Sequence, residues 1–192
     1  GGIGLDKVTY AAPYEEMSKA GAGLFTTMSA TGLSFKPLML AGTEEQEQRG
    51  ADIILNGGLG AFCLTEPMAG SDASNNKTTA VKYGDEYVLN GRKCFITNGG
   101  VADFYIITAM TDKEKGVKGM STFFVEKGTP GLSSGNEENK MGIRTSNTAD
   151  VVMEDVRVPA SAMIGTEGKG FNIAMSTLDI TRALMCIGAV GI

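Results

Sequence analysis

The 192-residue chain contains no histidine and no tryptophan. Without an imidazole there is no Ser-His-Asp relay and no H-E-x-x-H zinc site, so hydrolase and metalloenzyme readings lose their usual residues. Cysteine is sparse: Cys63, Cys94 and Cys186 are an odd number in apolar surroundings, without C-x-x-C spacing. They read as reduced thiols of a cytosol-like compartment. Positive charge is in deficit, with 17 Lys and Arg against 22 Asp and Glu, and a net charge of −5 gives no global attraction to nucleic acid or anionic membrane. An anionic ligand must therefore be met by a local cluster. Long hydrophobic runs are also missing from the sequence pattern, which offers no window that reads as the ~18–20 apolar residues of a membrane span. The opening GGIGLDKVTY has no basic segment followed by an apolar one, as a secretory leader would. The expected compartment is a bacterial cytoplasm or, in a eukaryote, the mitochondrial matrix.

What is present is an ordinary globular composition, 42% hydrophobic, in a chain long enough for one core or two small ones. From Tyr10 to about Asn56 the pattern is helical, with Met17, Leu24 and Met28 recurring at helical spacings among Ala, Glu and Lys. Thr43-x-x-Gln46 is a capping box that restarts a helix, and Gly57-Gly58 supplies its stop. Beyond Leu59 the period changes to two. In YGDEYVLNGRKCFIT, the pairs Tyr87, Leu89 and Phe95, Thr97 bracket Asn90-Gly91, which reads as a hairpin turn. FYIITAM, STFFVEKG and ADVVMEDVRVP add further β runs, so the middle is expected to be all-β, two packed sheets or a flattened barrel. After GTEGKG, a helix-start turn at residues 165–170, helical spacing returns and runs to Ile192 without a cap or breaker. The ending reads as a helix cut in mid-element. The fold class is α+β: an all-α segment at 1–58, a β domain at 59–162 and a truncated helical segment at 163–192.

Two stretches stand out, FCLTEPMAGSD at 62–72 and KCFITNGG at 93–100. Both are strand-like, both carry an aromatic residue and a threonine, and both run into glycine-bearing loop. On neighbouring strands they would offer two hydroxyls, exposed N–H groups and an aromatic wall to one flat ligand. Asp179 and Arg182, spaced to share a helix face, read alone as a surface ion pair.

The order FCLTEPMAGSD, NGRKCFITNGG, KMGIRTSNTADVVMEDVRVP, GKGFNIAMSTLDITR resembles the acyl-CoA dehydrogenase family over essentially the whole chain. The resemblance implies FAD and an acyl-CoA thioester lying between a helical domain, a β domain and a C-terminal helical bundle. This chain would supply the end of the first, the whole of the second and the first helix of the third. It implies that Phe62, Leu64 and Thr65 line the flavin, that Gly70 and Ser71 stand at the boundary of cofactor and substrate, and that Phe95, Ile96 and Thr97 flank the ring. Ser71, Asp179 and Arg182 would meet the CoA portion of the substrate. Many relatives carry Tyr where this chain has Phe62 and Trp where it has Phe95, so a phenol hydrogen bond is lost here. Lys140, Gly142, Arg144 and Ser146 match a segment that is more often structural.

In that family a carboxylate removes the α-proton while the β-hydrogen leaves as hydride to the flavin. The base would lie beyond Ile192, since its alternative position falls on Thr181, which cannot serve. The resemblance further implies a homotetramer that passes electrons to an electron-transferring flavoprotein, and it favours a short acyl chain. The alternatives are an acyl-CoA oxidase, a decarboxylating relative, or a non-catalytic β-sandwich that binds a partner through edge strands.

Overall fold

A computed structural model describes residues 6–192. Residues 1–5, the beginning of the expected helical segment, lie outside the described residues. Three helices come first: α1 (Lys7–Ala20), α2 (Ala22–Ala41) and α3 (Glu44–Leu55). The start of α3 follows from its capping box, in which the Gln46 amide donates to Thr43 Oγ1 at 3.2 Å and the Thr43 amide to Gln46 Oε1 at 3.1 Å. Its end is a Schellman motif: Gly57, at φ 86°, donates to Ile54 and Gly58 donates to Ile53. The same Gln46 donates through Nε2 to the carbonyls of Ser161 and Met163, docking α3 on the far end of the β domain. The residues whose spacing reads as helical are not the ones buried: Leu24 and Met28 are about half exposed, and α2 buries Phe25, Ala30, Ser34 and Leu38. Gly21 interrupts the helix between Met17 and Leu24, so the three residues never share one continuous face.

The strands are β1 (Gly60–Cys63), β2 (Thr79–Tyr83), β3 (Glu86–Thr97), β4 (Phe104–Met110), β5 (Met120–Glu126), β6 (Leu132–Glu137), β7 (Thr148–Pro159) and β8 (Met163–Ile164). They form one mixed sheet in the order β6-β7-β3-β2-β4-β5-β8, with β1 paired in parallel to β4. The α+β class holds, but the hydrogen-bonded path stays open and does not close into a barrel. β4 is buried along its whole length, which is why FYIITAM reads as a continuous apolar run. Alternation divides its side chains between two cores. Phe104 and Ile106 pack with Leu38, Phe124, Ile164 and Ile173 beneath the helices, while Tyr105 and Ile107 join Cys63, Leu89, Phe123 and Val151 on the opposite side.

Asn90-Gly91 is not a hairpin turn. β3 runs straight through it, and the turn from β2 lies at Gly84-Asp85. The dipeptide instead marks a register shift against β7, where Asn90 Nδ2 donates to Asp155 Oδ1 and Asn90 Oδ1 accepts from the Asp155 backbone amide. Glycine is needed at 91 because a Cβ there would come within 2.5 Å of Thr78 Oγ1.

The last element, α4 (Gly170–Gly191), packs on α1, α2 and β5. Contrary to the sequence expectation, its length and composition are sufficient for a membrane span, with 28% of the most apolar window buried here.

Candidate functional site

The two motifs do become neighbours. Past β1 the chain leaves the sheet, and the Cys94 amide of β3 donates to the Thr65 carbonyl at 3.0 Å. At the same place β3 bulges: Lys93 pairs with Val151 and Ile96 with Ala149, so Cys94 and Phe95 together oppose Asp150. Phe95 takes a left-handed φ of 57° and is 63% exposed, whereas Cys94 stays buried. A bulky side chain held at such a φ and turned outward is uncommon, and bulges of this kind re-aim side chains next to active sites.

The remaining expected site residues divide. Thr65 and Thr97 are half-buried and Ser71 is exposed, and none of the three hydroxyls has a protein partner among the described residues. Gly70 is exposed, with nothing within 4 Å of where a Cβ would be. Leu64 is buried, and Ile96 packs into the core with Leu89 and Val151 while its carbonyl accepts from the Gly99 amide. Phe62 packs partly against the helix-side core. Asp179 and Arg182 bond to each other at 3.1 Å, both about three-quarters exposed on α4, and to neither loop. Thr181 is buried, donating to the Thr177 carbonyl. Lys140 donates to the Ser146 carbonyl and to Thr148 Oγ1, and Arg144 to the Lys140 carbonyl, so that segment straps its own loop. GTEGKG is a turn pinned from outside, with Glu167 accepting from Tyr87 and the Gly168 amide donating to Ser121.

Sequence reasoning missed the residue beneath both motifs. Lys93 is fully buried, and its ammonium meets Glu66 Oε1 at 2.8 Å, Asn76 Oδ1 and Thr108 Oγ1 at 3.1 Å, and the Leu64 carbonyl at 3.3 Å. Glu66 also accepts from the amides of Lys77 and Thr78. Burial pulls the Lys93 ammonium down to about 8, against the pull of Glu66. Burial pushes the Glu66 carboxyl up, but Lys93 and the donors from Thr78 and Lys77 outweigh it and hold it below the usual carboxylate value. Cys63, wholly buried nearby, is pushed up to about 12 and stays a neutral thiol. Alternation along β3 puts Lys93 in phase with the buried Tyr87 and Leu89, but the sequence alone does not show the partners that converge on it.

Asn98 was also missed. Its φ is 64°, and its buried amide donates to the Thr27 carbonyl, Thr31 Oγ1 and the Gly60 carbonyl, joining the end of β3 to α2 and β1.

The arrangement is an exposed aromatic residue and two unengaged threonine hydroxyls on the two motifs that meet at one strand junction, beside a buried ion pair, with Gly70 and Ser71 exposed further along the first motif. It fits a flat heteroaromatic group that is hydrogen-bonded at its edge. Among the described residues, no group of three or more Cys, Asp or Glu side chains is placed to hold a metal ion.

Residues 61–156 match the acyl-CoA dehydrogenase middle domain, and residues 1–57 match the acyl-CoA dehydrogenase N-terminal domain. The chain belongs to the acyl-CoA dehydrogenase family. A short-chain specific acyl-CoA dehydrogenase of Megasphaera elsdenii is 50% identical over all of this chain and 51% of its own length. A solved chain described with the electron transferring flavoprotein of Acidaminococcus fermentans superposes with a TM-score of 0.96 at 50% identity, covering 100% of this chain and 51% of that one. An acyl-CoA dehydrogenase from Bacillus anthracis solved in complex with FAD gives 0.91 at 43% identity, over 100% of this chain and 32% of that one. The chain thus spans about half the length of the curated relatives it matches.

Proposed function

We propose that the chain carries the flavin-facing framework of an FAD-dependent acyl-CoA dehydrogenase acting on a short acyl thioester, in a bacterial cytoplasm. FAD, when bound, supplies the hydride acceptor. The observation that carries this reading is the bulge at Phe95 beside the Thr65–Cys94 bond. It sets an outward aromatic ring and free threonine hydroxyls at one junction.

In this reading Phe95 walls the ring and Phe62 and Leu64 back it. The backbone at Ile96 and the hydroxyls of Thr65 and Thr97 meet its polar edge. Gly70 leaves room where the acyl chain passes, and Ser71, Asp179 and Arg182 hold the CoA end. Both carboxylates of the first loop are engaged, Glu66 by Lys93 and Asp72 by Ser74. The family resemblance puts the base for the α-proton beyond Ile192, with Thr181 at its alternative position, and this chain by itself is expected not to turn over. The three segments at 1–58, 59–162 and 163–192 act as helical cover, binding domain and first bundle helix. The working assembly is a homo-oligomer, a tetramer, that passes electrons to an electron-transferring flavoprotein.

The test is anaerobic addition of butyryl-CoA to the FAD-loaded protein completed by its base-bearing part. Bleaching of the flavin, with crotonyl-CoA formed, supports the reading. A flavin that stays oxidised with every short acyl-CoA refutes it.

A further inference from the structure

We propose that Lys93 is a positioning residue for the flavin, gripping the chain that leaves β1 so that the two motifs meet at a fixed separation with Phe95 turned outward. This rests on the flavin reading above and adds to it a residue that touches no ligand.

Three successive carbonyls of the first motif are each held by a donor from β3, β4 or the loop before β2. The Cys63 carbonyl accepts from Thr108 Oγ1, the Leu64 carbonyl from Lys93 Nζ and Asn76 Nδ2, and the Thr65 carbonyl from the Cys94 amide. Lys93 and Cys94 are adjacent on β3, so one short stretch grips both Leu64 and Thr65. The bulge that expels Phe95 begins immediately after Lys93. The ammonium thus stands at the origin of both features.

A charge is not needed to fill this space. A buried ion pair is commonly replaceable by apolar residues of similar volume without loss of stability. What the ammonium does that methionine cannot is draw acceptors from the β1 exit, the loop before β2 and β4 onto a single point of β3. Its orienting effect is passed to the outward-facing atoms through peptide planes, which are stiff.

Three variants test this: Lys93→Met; Lys93→Met with Glu66→Gln, which removes both charges and keeps one of the two oxygens that accept from the Lys77 and Thr78 amides; and Thr108→Val. For each, FAD dissociation constant, visible circular dichroism of the bound flavin and thermal midpoint are measured on the FAD-binding protein. The single Lys93 variant is expected to melt early. The double variant is expected to melt well above the single Lys93 variant while its FAD dissociation constant remains raised about tenfold, with an altered flavin dichroism. Thr108→Val is expected to melt somewhat earlier than the parent, because it leaves the buried Cys63 carbonyl without its donor, and, measured well below its midpoint, to bind FAD about fivefold more weakly. Parental FAD affinity and dichroism in the double variant, or parental affinity in Thr108→Val, would overturn the proposal. A parent protein that binds no FAD would instead sink the flavin reading, and this proposal with it, before any variant is compared.

Discussion

The Cys94 amide donates to the Thr65 carbonyl at 3.0 Å, and through that bond a loop leaving β1 becomes the neighbour of a strand almost thirty positions further along the chain. The bulge next to it places Phe95 in solvent at a left-handed φ. Holding a non-glycine residue there costs roughly 1–2 kcal/mol, and glycine in a strand loses about 0.5–1 kcal/mol of its own. Phe95→Gly should therefore change unfolding free energy by under about 1 kcal/mol in urea melts. FAD affinity should drop by about tenfold, because an aromatic wall contributes about 1.5 kcal/mol beyond area alone.

Asn98→Ala removes three donated hydrogen bonds between β3, α2 and β1 and leaves a Cβ-bearing residue at φ 64°. The expected loss is about 2–4 kcal/mol. Asn98→Gly recovers the backbone part and not the bonds, so its urea midpoint should fall between alanine and the parent.

Thr43→Ala takes away the acceptor for the Gln46 amide at the start of α3. A loss of about 1 kcal/mol is expected. Gln46→Ala should lose more, because its amide also holds the Ser161 and Met163 carbonyls. Thermal denaturation of the two variants side by side checks the order.

Glu66 is held below the ordinary carboxylate value by Lys93 and by donors from Thr78 and Lys77, working against its burial. A depressed acid binds fewer protons folded than unfolded. Its contribution is therefore present above the ordinary value of about 4.3 and is lost as pH falls through the lower folded one. Stability measured against pH should fall on the acid side in the parent. That fall should be shallower in the double variant Lys93→Met, Glu66→Gln, which has no carboxylate to protonate. An unchanged acid limb would show that other groups, such as Glu126 beside Arg49, set it.

Much of the frame was legible because local chemistry and tertiary context agree. The Thr43–Gln46 box and the Gly57-Gly58 stop bound α3 as read, and the runs in FYIITAM, STFFVEKG and ADVVMEDVRVP are β4, β5 and β7. Asn90-Gly91 misled because the same dipeptide serves a tight turn or a bulge. Pairing with β7, which only the fold reveals, decides between them. β6 was invisible since Leu132–Glu137 is an edge strand of small and polar residues with no buried face to pattern it. The outward half of the site, Phe95 with the Thr65 and Thr97 hydroxyls, could be read from motif chemistry. The buried half could not, because Lys93 becomes informative only once Glu66, Asn76 and Thr108 are seen to converge on it from distant parts of the chain.

The most direct test is the visible absorbance spectrum of the purified protein after loading with FAD and desalting. The account predicts a retained flavin band, weakened in Phe95→Gly. A protein that releases all its flavin on desalting, and shows no saturable binding when titrated with FAD, would contradict it.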